Sequence, residues 1–130
     1  GLEVHGGVGS KVFSQSAADL ISQANVCMDA GAEIVLVEAA ELIVDGEPNQ
    51  TIIKELRDGL DLTKVLFELT GPWIKGVTLS SIHELKRFLL TEFGPDVNLA
   101  NVMPDDVLET EASRVGLSVV GPDREHGAAV

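Results

Sequence analysis

Short apolar runs alternate with amphipathic stretches along this chain, and the alternation predicts strands separated by helices. Four apolar residues at 34–37 and a mostly apolar run at 64–69 are typical of strands buried on both faces, as in parallel sheets. Weaker runs at 97–100 and 117–120, and a fragment at 2–4, indicate further strands.

The stretches between these runs place apolar residues at helical spacing. Helices are predicted over 16–30, 51–60, 80–93 and from Pro104 onward. Gly31 is a natural stop for the first helix, and Ser80 or Ser81 can cap the start of the third.

Strands that alternate with helices imply right-handed crossovers and a parallel sheet, so the predicted fold class is α/β. Four or five such units form either an open sheet or one half of a closed (β/α)8 barrel. The 130 residues, 45% of them hydrophobic, suffice for one domain. We assign 1–120 to that domain and expect 121–130 to be a mobile tail.

The chain is acidic, and its charge excludes some partners. A net charge of −12 repels phosphate backbones and anionic membranes, so neither nucleic acid nor membrane is expected as a partner. The single cysteine, Cys27, cannot form an internal disulfide, which suits a reducing cytoplasm. An anionic substrate is still compatible with this charge if carboxylates hold a divalent cation.

Polar side chains stand where the predicted strands end. Glu38 follows the run 34–37, Glu68 lies near the end of the next run, and Asn98 and Asn101 flank the one after it. Ligands of α/β proteins bind at the carboxyl ends of parallel strands, so these side chains, with Glu3, should share one rim. Such a rim suits Mg²⁺, which prefers oxygen ligands. The alternative is that each glutamate is an ordinary solvated residue.

The segment from Gly6 to Lys11 is a glycine-rich loop at the end of the first predicted strand. Its backbone N–H groups, beginning with Gly6 and Gly7, and the ammonium of Lys11 could bind an anion. It lacks the spacing of a Walker A motif, and a plain flexible loop is the alternative.

Other candidates are weaker. The three histidines have no metal-ligand spacing, so zinc is not expected, and His83 is placed at the surface of the third helix. Trp73 lies in a loop rich in glycine and proline and is interpreted as a loop anchor rather than a surface for substrate stacking.

The order of these segments along the chain resembles the phosphosulfolactate synthase family. The resemblance rests on LEV at 2–4, MDAGAEIVLVEAAE at 28–41, LDLTKVLFEL at 60–69 and FGPDVNLANV at 93–102. It implies the second half of a TIM (β/α)8 barrel. It also implies Mg²⁺-dependent addition of sulfite to phosphoenolpyruvate in the cytoplasm, giving phosphosulfolactate on the way to coenzyme M or sulfolactate.

The resemblance also implies roles for individual residues. The expected metal ligands are Glu3, Glu38 and Glu41; the expected catalytic residues are Lys11, as general acid, and Glu68; the expected substrate-binding residues are Gly6, Gly7, Asn98, Asn101 and Arg124. We expect the segment to form a homo-oligomer or to need the other half of the barrel, because a half barrel leaves two strand edges unpaired.

Several cations of the family pattern are missing here. Ala39 and Ala40 stand where the family carries an arginine, and Lys11 and Arg124 come later than their counterparts. One alternative is therefore a relative that has changed substrate or lost catalysis and acts through protein contacts, as in the similar plant heat-stress-associated proteins. An unrelated open α/β binding domain is a third possibility.

Overall fold

The structure, a computed structural model, describes residues 16–44 and 47–117. The helices are α1 (Ala17–Asp29), α2 (Gln50–Gly59), α3 (Leu79–Phe93) and α4 (Val107–Arg114). The strands are β1 (Val35–Glu38), β2 (Ile43–Val44), β3 (Glu47–Pro48), β4 (Val65–Glu68) and β5 (Asn98–Ala100). The strand predicted at 2–4, nearly all of that at 117–120 and the tail predicted at 121–130 lie outside the described residues.

A parallel sheet with the strand order β1-β4-β5 forms the centre of the described structure. Val35 pairs with Val65 at one end of the two neighbouring strands, and Glu38 pairs with Glu68 at the other. The predicted α/β class and the parallel sheet are thus confirmed. The short strands β2 and β3 pair antiparallel with each other, and this pairing was not predicted.

The ends of the helices follow local capping chemistry. Ser16 caps α1 and forms a capping box with Asp19, and Gly31 follows the helix with a left-handed φ of 105°. Helix α3 begins one residue earlier than predicted, and its cap is Thr78 rather than Ser80 or Ser81. The prediction was wrong because several hydroxyl residues occur in succession there, and only the hydrogen bonds identify the cap.

The helices cover one face of the sheet. Val35, Val37, Val65 and Phe67 point to that face, are almost fully buried, and belong to one core cluster with residues of α1, α2 and α3. The alternate residues of β1 and β4 are only half-buried, so the prediction of burial on both faces is wrong for the described residues. The physical reason is that the described helices pack against only one side of the sheet.

None of the helices within residues 16–44 and 47–117 has both the length and the apolar character needed to cross a membrane.

Candidate functional site

Two glutamates end neighbouring parallel strands at the same level. Glu38 is the last residue of β1, Glu68 is the last residue of β4, and the two are register partners. Side chains alternate along a strand, so both glutamates point to the face opposite the core. Both are half-buried. The sheet therefore sets two carboxylates side by side at its carboxyl edge.

An asparagine from the third strand joins this pair. Asn101 directly follows β5 and has a left-handed φ of 62°, a conformation that asparagine tolerates better than most residues. Its side-chain amide nitrogen, Nδ2, donates hydrogen bonds to Oε1 of Glu68 at 2.9 Å and to the carbonyl oxygen of Leu69 at 3.1 Å. These bonds fix the carboxylate of Glu68 in position.

The three side chains open into a cleft of about 140 Å³ at this end of the sheet. The loop that follows β4 supplies most of the remaining wall. The lining residues are Glu38, Ala40, Glu68, Leu69, Thr70, Gly71, Trp73, Ile74 and Asn101. No lysine or arginine is among these described residues. The cleft therefore has a negative lining and favours a cation.

The donor set of the cleft suits a hard divalent ion. Mg²⁺ is usually held by one or two carboxylates and fills its remaining positions with water and substrate oxygens. Glu38 and Glu68 supply two carboxylates from rigid strand ends, and Asn101 restrains one of them. The residues present therefore fit the magnesium ion that the sequence analysis expected.

The structure brings together three of the predicted site residues, Glu38, Glu68 and Asn101. It does not bring Asn98 to the cleft: the Nδ2 of Asn98 donates to the carbonyl oxygens of Thr63 at 3.3 Å and Val65 at 3.1 Å. Asn98 is the first residue of β5 and therefore lies near the start of β4, not at its carboxyl end. The prediction that Asn98 lies on the rim with Glu38 and Glu68 is therefore wrong.

The remaining predicted residues cannot be placed in the same way. Glu3, Gly6, Gly7, Lys11 and Arg124 lie outside the described residues. Glu41 belongs by its backbone to a short 3-10 helix, Ala39–Leu42, that follows β1, but its side chain also lies outside the described part of the chain.

A second polar cluster joins α3 to α4 and was not predicted. Lys86 is fully buried, and its Nζ donates to Oδ2 of Asp106 at 2.7 Å and to Oε2 of Glu109. His83 is half-buried rather than at the surface. Its Nε2 lies 3.1 Å from Oδ1 of Asp106. A lysine on the otherwise apolar stripe of α3 was the signal in the sequence that could have revealed the cluster.

The cluster has a clear electrostatic consequence. Partial burial alone would raise the pKa of Asp106, but hydrogen bonds from Lys86 and His83 outweigh it and hold that pKa below its usual range. For Glu109 too, burial opposes the lowering of the pKa, and hydrogen bonds from Lys86 and Ser113 outweigh it. His83, Asp106 and Glu109 lie close enough to bind one metal ion. We interpret them as an ion-pair cluster because the ammonium of Lys86 already pairs with both acids.

Comparison with known proteins gives two findings. The family model for (2R)-phospho-3-sulfolactate synthase (ComA) matches residues 1–119. The phosphosulfolactate synthase of Methanocaldococcus jannaschii is 30% identical over 106 residues, which cover 76% of this chain. The aligned region spans only 38% of that enzyme.

Proposed function

The chain belongs to the (2R)-phospho-3-sulfolactate synthase family, and on this premise we propose that it carries the carboxyl-terminal part of a lyase that adds sulfite to phosphoenolpyruvate. One observation supports the proposal above others. Glu38 and Glu68 end neighbouring parallel strands in register, beside the amide of Asn101 and within one cleft. Enzymes with (β/α)8 barrels place their reacting groups at the carboxyl ends of the parallel strands, where these two carboxylates lie.

The proposed reaction is an addition without a leaving group. The sulfur lone pair of sulfite forms a bond to C3 of phosphoenolpyruvate, the C2–C3 double bond is consumed, and C2 takes up one proton. The phosphate ester stays intact, so the product is phosphosulfolactate. Lys11 is the general acid in this scheme, a role that stays a prediction because the residue lies outside the described part of the chain.

We propose that Glu38 and Glu68 hold Mg²⁺, and that Asn101 keeps Glu68 oriented toward it. When bound, the ion would supply positive charge for the substrate carboxylate and for the negative charge that develops as sulfite attacks. A cation is needed here because the described lining of the cleft offers two carboxylates and no basic side chain to an anionic substrate. Glu3 and Glu41 stay predictions as further ligands.

We also propose that the three parallel strands are part of a (β/α)8 barrel whose other strands lie outside the described residues. The half-buried face of β1 and β4 would then line the barrel interior, and the helix-covered face would be its outer layer. In this arrangement Gly6, Gly7 and Arg124 could reach the cleft and bind the phosphate or sulfonate.

The second candidate is a relative without catalysis that acts through protein contacts. The observation that favours it is the same negative lining, with Ala40 at a position where a basic residue could have faced the substrate. A relative of this kind would retain the fold and could still bind Mg²⁺, but it would form no phosphosulfolactate.

Product analysis tests the proposal directly. The full chain is incubated with phosphoenolpyruvate, sulfite and Mg²⁺, and phosphosulfolactate is detected by ³¹P NMR. We expect product from the unmodified protein and a rate at least about 100-fold lower in Glu68→Gln, because that substitution removes a ligand charge from the cleft. The control is Glu55→Gln, which changes an exposed glutamate on α2 and should leave the rate unchanged.

Two outcomes would count against the enzyme. If the unmodified protein forms no product while binding Mg²⁺ through Glu68, the non-catalytic candidate is correct. If product forms equally well in Glu68→Gln, the reaction uses a site other than this cleft.

A further inference from the structure

The single tryptophan of the chain lies at the mouth of the cleft. Trp73 belongs to the loop between β4 and α3, lines the cleft, and is 68% exposed. An exposed indole at the mouth of a cleft presents a large flat apolar surface to whatever enters the cleft. Its place beside Glu68 and Asn101 suggests that the ring serves the cleft rather than the core.

The indole ring of Trp73 packs against Gly71. A methyl group added at Gly71 would come within 2.3 Å of two atoms of the Trp73 indole, so any larger residue there would displace the ring. Gly71 is not among the glycines with a left-handed φ. Its backbone would therefore accept alanine, and the space above it is what requires glycine. The Gly71 backbone thus covers one side of the ring while much of the residue stays exposed.

We propose that the indole of Trp73, seated on Gly71, is the wall against which a flat, unsaturated carboxylate lies when a divalent cation binds it at Glu38 and Glu68. This inference rests on the proposed function and adds a positioning residue to it. The two glutamates can recognise only the cation, and Asn101 already donates to Glu68. A flat aromatic surface supplies what they lack, a contact for the planar face of an enol carboxylate.

The wall would also select for shape. A planar ligand can lie on an indole with all its carbon atoms in contact, whereas a tetrahedral carbon holds part of the ligand away from the ring. Stacking contacts of this type change affinity by roughly two- to tenfold. We therefore expect phosphoenolpyruvate to bind more tightly than phospholactate, its saturated analogue, by a factor in that range.

Fluorescence can test this without any turnover, because the chain has one tryptophan and no tyrosine, so all indole emission comes from Trp73. Mn²⁺, a paramagnetic substitute for Mg²⁺, should quench the emission of the full chain, and Glu68→Gln should abolish the quenching. With Mg²⁺ present, phosphoenolpyruvate should then shift the emission to shorter wavelength and protect the ring from acrylamide, and phospholactate should do so less.

Two substitutions separate the wall from the rest of the cleft. Trp73→Leu should weaken phosphoenolpyruvate binding by roughly two- to tenfold, measured by calorimetry in Mg²⁺, while leaving Mn²⁺ affinity unchanged. Gly71→Ala should weaken it similarly by displacing the ring, but should have no further effect in a Trp73→Leu background. Thermal melts of each variant control for folding.

The outcomes distinguish this inference from the proposed function. If Mn²⁺ does not quench the emission of Trp73, or quenches it equally in Glu68→Gln, the proposed metal site is wrong, and the inference is wrong with it. If Mn²⁺ quenches but phosphoenolpyruvate leaves the ring as accessible as before, the metal site stands and the wall is wrong. If Gly71→Ala weakens binding equally with and without Trp73, glycine acts through something other than the indole, which also overturns the inference.

Discussion

Asn101 links the end of β5 to the carboxylate at the end of the neighbouring strand, β4. Its left-handed φ of 62° turns the chain as it leaves β5, and the turned side chain donates to Glu68 and to the carbonyl of Leu69. Most residues resist this conformation because Cβ crowds the following carbonyl oxygen. Asn101 thus combines a tolerated backbone torsion with the donor that orients Glu68.

Two substitutions at Asn101 should separate these contributions. Asn101→Gly keeps the torsion free of strain but removes both hydrogen bonds, and should lower the free energy of unfolding by about 1 kcal/mol. Asn101→Ala loses the same bonds and adds backbone strain, so we expect a loss of about 2 kcal/mol. Urea unfolding of both variants measures the difference. Equal losses in the two variants would mean that the torsion is unstrained for ordinary residues.

At the level of elements, a buried ammonium fastens α3 to α4. Lys86 is fully buried between Asp106 and Glu109, while the two acids stay partly exposed, at 16% and 25% of their side-chain surface. Burying a charge costs free energy, which only well-placed partners offset. Removal of the lysine would take away the ammonium that both carboxylates share.

The cluster should make the stability of the fold depend on pH. The folded-state pKa values of Asp106 and Glu109 lie below the ordinary values of about 3.9 and 4.3 that apply to the unfolded chain. Their contribution is therefore complete above those ordinary values and is lost as the pH falls through the folded-state values. At neutral pH we expect Lys86→Met to lower the free energy of unfolding by about 3 kcal/mol. Urea unfolding between pH 7 and pH 3 should show this difference shrinking on the acid side.

A surface lysine provides the matched control. Lys54 pairs with Asp58 on α2, and 75% and 60% of these side chains are exposed. Solvent screens such a pair, so Lys54→Met should leave stability unchanged at every pH in the series. If Lys86→Met behaved like Lys54→Met, the buried pairs would contribute nothing to the fold.

The helices and the parallel strands could be predicted because their apolar periodicity is a local property. The predicted runs at 34–37 and 64–69 overlap β1 and β4, so the sequence also predicted that Glu38 and Glu68 lie at the carboxyl edge of the sheet. The place of Asn98 could not be predicted, because it depends on where β5 begins and on its register with β4. The position of Lys86 on an apolar stripe could indicate that it is buried, but its partners could not be predicted, because 20 residues separate it from Asp106 and only helix packing joins them.

At the scale of the whole molecule, the sheet has an uneven environment. Its core face is sealed by helices, whereas Leu36 and Leu66 on the other face are only half-buried within the described structure. Strands β1 and β5 are also the edges of the described sheet. In a closed barrel the same face is packed by side chains from the other strands, and no edge is left unpaired.

The 130-residue chain should therefore self-associate or need a partner segment when it is isolated. Sedimentation velocity at rising concentration should show species larger than a monomer, driven by apolar surface on the half-buried face and by unpaired strand edges. Leu66→Lys places a charge on that face and should shift the protein toward monomer. Val26→Lys changes an apolar residue on α1 that is 65% exposed and should leave the association as it was. A chain that sediments as one monomer and melts in a single cooperative transition would show that these strands form a complete fold, and the half-barrel proposal would then be wrong.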